Sequence, residues 1–404
     1  MCSNRKNIVL IACYGILFLA SCSSEGKSSG THETVDKDTS SVQNKAVSMQ
    51  IDSLFNQTAQ IIAGRGDLTS LSSVDTITLN AYKNYSRELN ELWEKSKERR
   101  TVVKNWAESE LGALNSQGGT LFYPFSGADF VHVDLFFPNF DNIIMLALET
   151  KGTFPDLVKL HEEVKLTNYL SAVKNSLKDI LLLSFFRTLA MEEDFKSTLD
   201  GNIALFLYFL NVTGHEVNFV EPVSISEDGA LVVDTVITAS YDQGYRYYFK
   251  RIGQDKIKTL VYFAMNVQNS EYPVTSNTIL SGLNDRKNVL TYLKNEKVQA
   301  TYIKSASYLL HRPSFSLIRD FILENSTYVL QDDSGIPIQF FPKDQWNITY
   351  YGTYTRPINL FKNKYQPNLK AAYSDSSNTL KTLPFGIGYQ FRVGTSNMQL
   401  GIRK

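Results

Sequence analysis

The chain has 404 residues, with 41 Lys plus Arg against 41 Asp plus Glu. That balance excludes a global field of the kind that draws nucleic acid or an acidic polymer, so no nucleic-acid partner is expected. Its three cysteines are Cys2, Cys13 and Cys22, which excludes a disulfide, a thiol nucleophile or a cysteine metal site from everything after residue 22.

Arg5 and Lys6 precede an apolar run from Ile8 to Ala20. It is too short to span a bilayer and has the length of a signal-peptide core. The run closes on Leu19-Ala20-Ser21-Cys22, small residues before a cysteine, the pattern read by bacterial lipoprotein processing. Residues 1–21 are therefore expected to be a signal peptide, and Cys22 the acylated, palmitate-bearing first residue of the mature chain. Several acyl chains give stable anchoring, so the expected membrane contact is this lipid. Ser23 fits sorting to the outer membrane, with the domain facing the periplasm or the outside. Residues 22–44 are polar and hardly contain an apolar side chain, the composition of a disordered tether of roughly 25 Å mean span.

Residues 45–117 read as a helical region. Val47, Ile51, Leu54, Phe55, Ile61 and Ile62 recur at helical spacing, and Asp75 is placed to cap a second helix whose stripe runs from Leu79 to Leu111. Gly118-Gly119 ends it, and residues 118–404 form the body. Leu121–Phe125 and Asn142–Thr150 read as strands. Pro155 can open a helical face from Leu157 to Phe185 with a break near Thr167, and Ile203–Leu210 is a third helix stopped by Gly214. From Glu216 to Val267 the pattern is antiparallel sheet, turning at Glu227-Asp228-Gly229 and Gly253-Gln254-Asp255. Helix is expected over 284–295, 305–310, 315–323 and 368–373, and strand over 327–330, 338–341, 348–354 and 383–393. The fold class is α+β: a helical N-terminal part, then a mixed, largely antiparallel sheet body with packed helices.

Two segments of the body look alike. In the first, Ser126 and His132 are followed by a strand-like run ending at Glu149; in the second, Ser305 and His311 are followed by one ending at Asp332-Asp333. A diverged repeat would give two related lobes, 118–270 and 271–404, with matching strand ends facing a shared cleft.

The site candidates lie in these segments. Asp129, His132, Asp332 and Asp333 beside apolar runs have the chemistry for acid–base work or for a hard cation. Their commoner role is structural, since Asp-Asp-Ser-Gly is also what a tight turn needs. Tyr123, Ser126, His311, Tyr351 and Arg356 are ligand-binding candidates. Arg356 beside Asp332 or Asp333 would be a buried structural pair or an anion anchor. The 24 Phe and 22 Tyr are core first, and an aromatic platform for sugars second. There is no Gly-x-Ser-x-Gly elbow, Walker loop, dinucleotide fingerprint, zincin helix or acidic calcium loop, so no cofactor and no metal are expected.

Tyr123-Pro124-Phe125-Ser126-Gly127, Lys304-Ser305-Ala306-Ser307-Tyr308-Leu309 and Gln331-Asp332-Asp333-Ser334-Gly335-Ile336-Pro337 together resemble an uncharacterised family of secreted bacterial proteins, often lipoproteins. So do Tyr365-Gln366-Pro367-Asn368-Leu369 and Phe385-Gly386-Ile387-Gly388-Tyr389. The resemblance implies compartment and class but no activity. The expectation is an anchored binding or envelope-assembly module with a glycan, peptidoglycan or envelope-protein partner. The alternative is an envelope hydrolase using paired carboxylates on a glycan or phosphoester.

Overall fold

The computed structural model describes residues 53–71, 74–183, 198–234, 243–269 and 285–404. The expected signal peptide, Cys22, the tether, the helix start at Val47 and Ile51, and the proposed helix ends at Phe185 and Asn284 lie outside them.

Helix α1 spans Ser53–Ile62, α2 Thr76–Lys95, α3 Lys97–Glu110 and α4 Gly112–Asn115. Asp75 does cap α2, its Oδ1 accepting from Thr78 N at 2.9 Å, a contact worth about 1 kcal/mol. Strand β1 (Thr120–Pro124) leads through α5 (Phe130–Phe136) to β2 (Asn142–Ala147). The predicted long helix divides into α6 (Leu157–Glu162) and α7 (Leu166–Leu183). Next comes α8, Ile203–Val212, with every residue buried. A helix apolar all round can sit only inside a core, and the run Ile-Ala-Leu-Phe-Leu-Tyr-Phe-Leu leaves it no wet face.

The predicted hairpins follow as β3 (His215–Ile225), β4 (Leu231–Val233), β5 (Gln243–Arg251) and β6 (Ile257–Ala264). Helix α9 (Asp285–Asn295), β7 (Val298–Ile303), α10 (Ser316–Asn325) and β8 (Tyr328–Gln331) come next, then β9 (Trp346–Gly352), α11 (Pro367–Ser374), β10 (Thr379–Lys381) and β11 (Asn397–Arg403).

All eleven described strands form one sheet, ordered β10-β9-β11-β8-β7-β1-β2-β6-β5-β3-β4. The two expected lobes are thus halves of one sheet, joined where β1 pairs with β7. The sheet is mixed, but its centre is parallel: β8, β7, β1, β2 and β6 run the same way. The β1 residues are all buried, as strands covered on both faces must be, and such runs carry no alternation that tells direction. Helices α1–α8 cover one face, packing on Leu121, Tyr123, Met145 and Tyr302. Helices α9 and α10 cover the other, on Phe122, Ile144, Ile303 and Val329. The N-terminal helices belong to this same core: Trp106 of α3 meets Tyr351 of β9 edge-on at 4.9 Å.

Three expectations are corrected. Residues 338–340 form a 3-10 turn, not a strand. Residues 383–393 form a loop with one bridge, Ile387 to Gln390, because Pro384, Gly386 and Gly388 interrupt the run; the closing strand is Asn397–Arg403, whose buried Asn397 and Gln399 hid it. The helix expected over 305–310 is reduced to the short turn Leu309–His311.

Candidate functional site

The units β1-α5-β2 and β7-α10-β8 start from neighbouring parallel strands and cross over in opposite directions, α5 on one face and α10 on the other. In such a sheet the loops leaving the two central strands part, and a crevice opens at their carboxyl ends. The two similar sequence segments are these two loops. A cleft of ≈ 210 Å³ lies there, walled by Ser126, Asp129, Glu149, Lys304, Ser305 and Tyr389 among others.

Both loops are bent into unusual backbone. Phe125 (φ 58°), Ser305 (52°), Ser307 (51°) and Tyr308 (54°) lie in the left-handed region, four of seven such non-glycine residues among the described ones. Each costs on the order of 1–3 kcal/mol, which the surrounding structure must offset.

Strand alternation sets the cleft floor. Tyr123 in β1, Tyr302 in β7 and Lys304 just beyond the end of β7 fall on the α5 side of the sheet. Asp129 precedes α5, and the i,i+3 spacing brings His132 back beside it. Asp129 Oδ1 takes a hydrogen bond from His132 Nδ1 at 2.7 Å, and its Oδ2 accepts from Tyr123 OH at 2.8 Å and Lys304 Nζ at 2.5 Å. All four are buried, with Asp129 at 1% and Lys304 and His132 at 4% exposure.

Burial alone would raise the Asp129 carboxyl, but His132 and Lys304 outweigh it and hold it well below the usual range. Burial, joined by the Lys304 charge, pushes His132 down to about 4 against the pull of Asp129. Burial likewise lowers Lys304, with Asp129 opposing. At neutral pH the imidazole is therefore neutral, its Nδ1 proton faces Asp129, and the cation that holds Asp129 ionised is Lys304. Arg99 adds a second positive charge nearby, with Nη2 on the Gly386 carbonyl at 2.9 Å.

The cleft lining sets the hydroxyl residues Ser126, Ser305, Ser307 and Tyr389 beside apolar groups. Ser305 Oγ is buried and has no hydrogen-bond partner. Ser126 Oγ donates to Gly127 O at 3.0 Å. Tyr389 OH donates to Ser305 O at 2.7 Å and accepts from Ser307 N at 3.1 Å, which fixes its ring as one wall. Gly388 beside it has φ +65°, and a Cβ there would come within 2.3 Å of Asp332 Oδ2, so only glycine lets this loop close over the carboxylate.

The structure brings together Tyr123, Ser126, Asp129 and His132 of the predicted residues. Asp332 and Asp333 lie behind the cleft wall as turn and packing groups. Asp332 accepts from Ser305 N and Ser334 N, both at 2.9 Å, and from Ser334 Oγ at 2.5 Å. Asp333 accepts from Tyr308 OH at 2.5 Å and Asn397 Nδ2 at 3.2 Å. His311 packs edge-on against Tyr308 at 5.1 Å. Tyr351 reaches Glu110 on the α3 side at 2.8 Å. Arg356 is exposed and lines a separate groove, so the expected buried pair with Asp332 or Asp333 does not form. Lys304 went unrecognised as a site residue, although a lysine directly after an apolar strand run is a signal of a strand-end charge.

No known protein family, curated protein or solved structure matches the chain. Among the described residues no cluster of His, Cys, Asp and Glu is arranged to hold a metal ion, and no helix is long and apolar enough to cross a membrane.

Proposed function

We propose that this is a lipid-anchored envelope protein of the outer membrane whose folded body binds a small polar ligand in the cleft between β1 and β7. The observation that carries the binding part is the coincidence at one place of a strand-switch crevice, left-handed loops and the unpartnered Ser305 hydroxyl over a buried ion pair. Strain and an unsatisfied polar atom persist where a partner repays them. The anchoring part rests on the run ending at Cys22. Catalysis by paired carboxylates would require Asp129 and Asp332 or Asp333 to face one cavity. The hydrogen bonds that bury Asp332 and Asp333 in their turn favour binding instead.

The anchor is tested by growing Gram-negative cells with labelled palmitate. The chain is expected to carry label in the outer-membrane fraction and Cys22→Ser to lose it; label retained by the variant would refute acylation at this residue. The cleft is tested by a thermal-shift screen of the acylated chain in detergent against glycans, peptidoglycan fragments and peptides. A ligand at a hundred times its Kd adds about 2.7 kcal/mol, a shift of several degrees. Ser305→Gly, which removes the hydroxyl and suits the left-handed backbone there, should abolish the shift; a full shift in that variant would move the binding site elsewhere.

A further inference from the structure

Beyond Tyr389 lies a second cavity, a groove of ≈ 510 Å³ between the loops 353–359 and 389–395. The two loops are tied by Gln390 Nε2, which donates to Arg356 O at 2.9 Å. The groove walls carry Arg356 and Arg392 and no Asp or Glu. Both arginines are exposed, and neither pairs with a carboxylate among the described residues. In a chain of balanced charge, two guanidiniums on one carboxylate-free groove are a local excess of positive charge. Arginine forks suit carboxylate or sulfate oxygens, which accept two parallel hydrogen bonds.

The rest of the lining says what carries the anion. Thr355, Asn359 and Gln390 offer hydroxyl and amide groups, while Phe391, 36% exposed, offers an aromatic ring. A sugar ring presents a C–H face to an aromatic ring and hydroxyls at its edge. An arginine cluster also suits an acidic peptide, but no lining residue lies in a strand, so the groove offers no sheet edge for a peptide to extend. Tyr389 borders both the cleft and the groove, and its hydroxyl bonds and its packing on Tyr308 and Phe361 hold it in place, so the two cavities are neighbours across one prearranged side chain. Prearrangement spares the ordering cost of binding.

We infer that the groove holds the acidic residues of an anionic oligosaccharide, carboxylated or sulfated, whose other end enters the cleft; this rests on the cleft being a binding site. The test is isothermal titration of the full acylated chain in detergent with tetragalacturonate, its methyl ester, a sulfated heparin tetrasaccharide and tetraglutamate. At least one acidic tetrasaccharide should bind, and weaken with added salt. The pair Arg356→Gln/Arg392→Gln should weaken it at least about tenfold. Because both side chains are exposed, Tm should not move. Binding of the methyl ester as tight as that of the acid, undiminished binding by the double variant, equal binding of tetraglutamate, or no binding of either acidic sugar would each overturn the inference. Ser305→Gly separates the two readings. If it alone loses the ligand, the groove assignment fails and the cleft stands. If only the arginine variant loses it, the groove stands and the cleft reading fails.

Discussion

Replacing Lys304 with methionine should cost the fold about 3–5 kcal/mol at pH 7, the usual penalty for leaving one charge of a buried pair alone. Asp129 is 1% exposed and, among the described residues, has Lys304 as its only charged hydrogen-bond partner at neutral pH. In the native chain its carboxyl is held low, so its ionised form stabilises the fold above the unfolded carboxylate value, and that contribution is lost only as pH falls through the lower folded value. Without Lys304 the carboxyl loses one of the two groups that offset its burial and rises, so the part of the stability that its ionised form supplies at neutral pH shrinks. His132, relieved of the neighbouring ammonium, should titrate at higher pH than about 4. Urea unfolding across pH, with NMR titration of His132, measures both. Adding Asp129→Asn should recover a large part of the loss, because it removes the stranded charge. A Lys304→Met loss below about 1 kcal/mol would mean that the pair does not hold the two loops together.

Asp333→Asn should become progressively more stable than the native chain as pH rises from about 4 to 8. Burial, with the Asp332 carboxylate next to it, pushes the Asp333 carboxyl up to about 7. An acid whose folded value is raised binds its proton more tightly folded than unfolded, so stability is present below the unfolded value and is lost as pH climbs to the folded one. The asparagine keeps the shape and has no proton to lose. The gap should therefore widen by roughly 2–4 kcal/mol over that window. Measuring the difference between the two chains matters, because His132, His215 and His311 are all held below their ordinary value, chiefly by burial, and act in the opposite sense over part of the same range. A gap independent of pH would show that Asp333 ionises normally and that its bonds to Tyr308 and Asn397 carry no proton-linked cost.

Much of the local structure was legible in residue order. The Asp75 cap, the apolar run of α8, the turns at Glu227-Asp228-Gly229 and Gly253-Gln254-Asp255, and the break before α7 are written within a few residues of where they act. The similar Ser126–His132 and Ser305–His311 segments turn out to be the loops that leave β1 and β7 and border the cleft. Roles within those loops were not legible. Asp332 and Asp333 looked like cleft carboxylates and are packing groups, Arg356 looked like their partner and lines a groove, and Lys304 was passed over although it closes on Asp129 across 175 positions.

The chain order by itself determined helix caps, turns, apolar faces and the class of fold, because these follow from backbone geometry and side-chain spacing over one or two turns. Only the tertiary structure decided that β1 and β7 lie side by side, that the sheet centre is parallel, and which acid meets which base. Those outcomes depend on the burial of both sheet faces by distant helices, and no local period records which strand ends that burial will bring together.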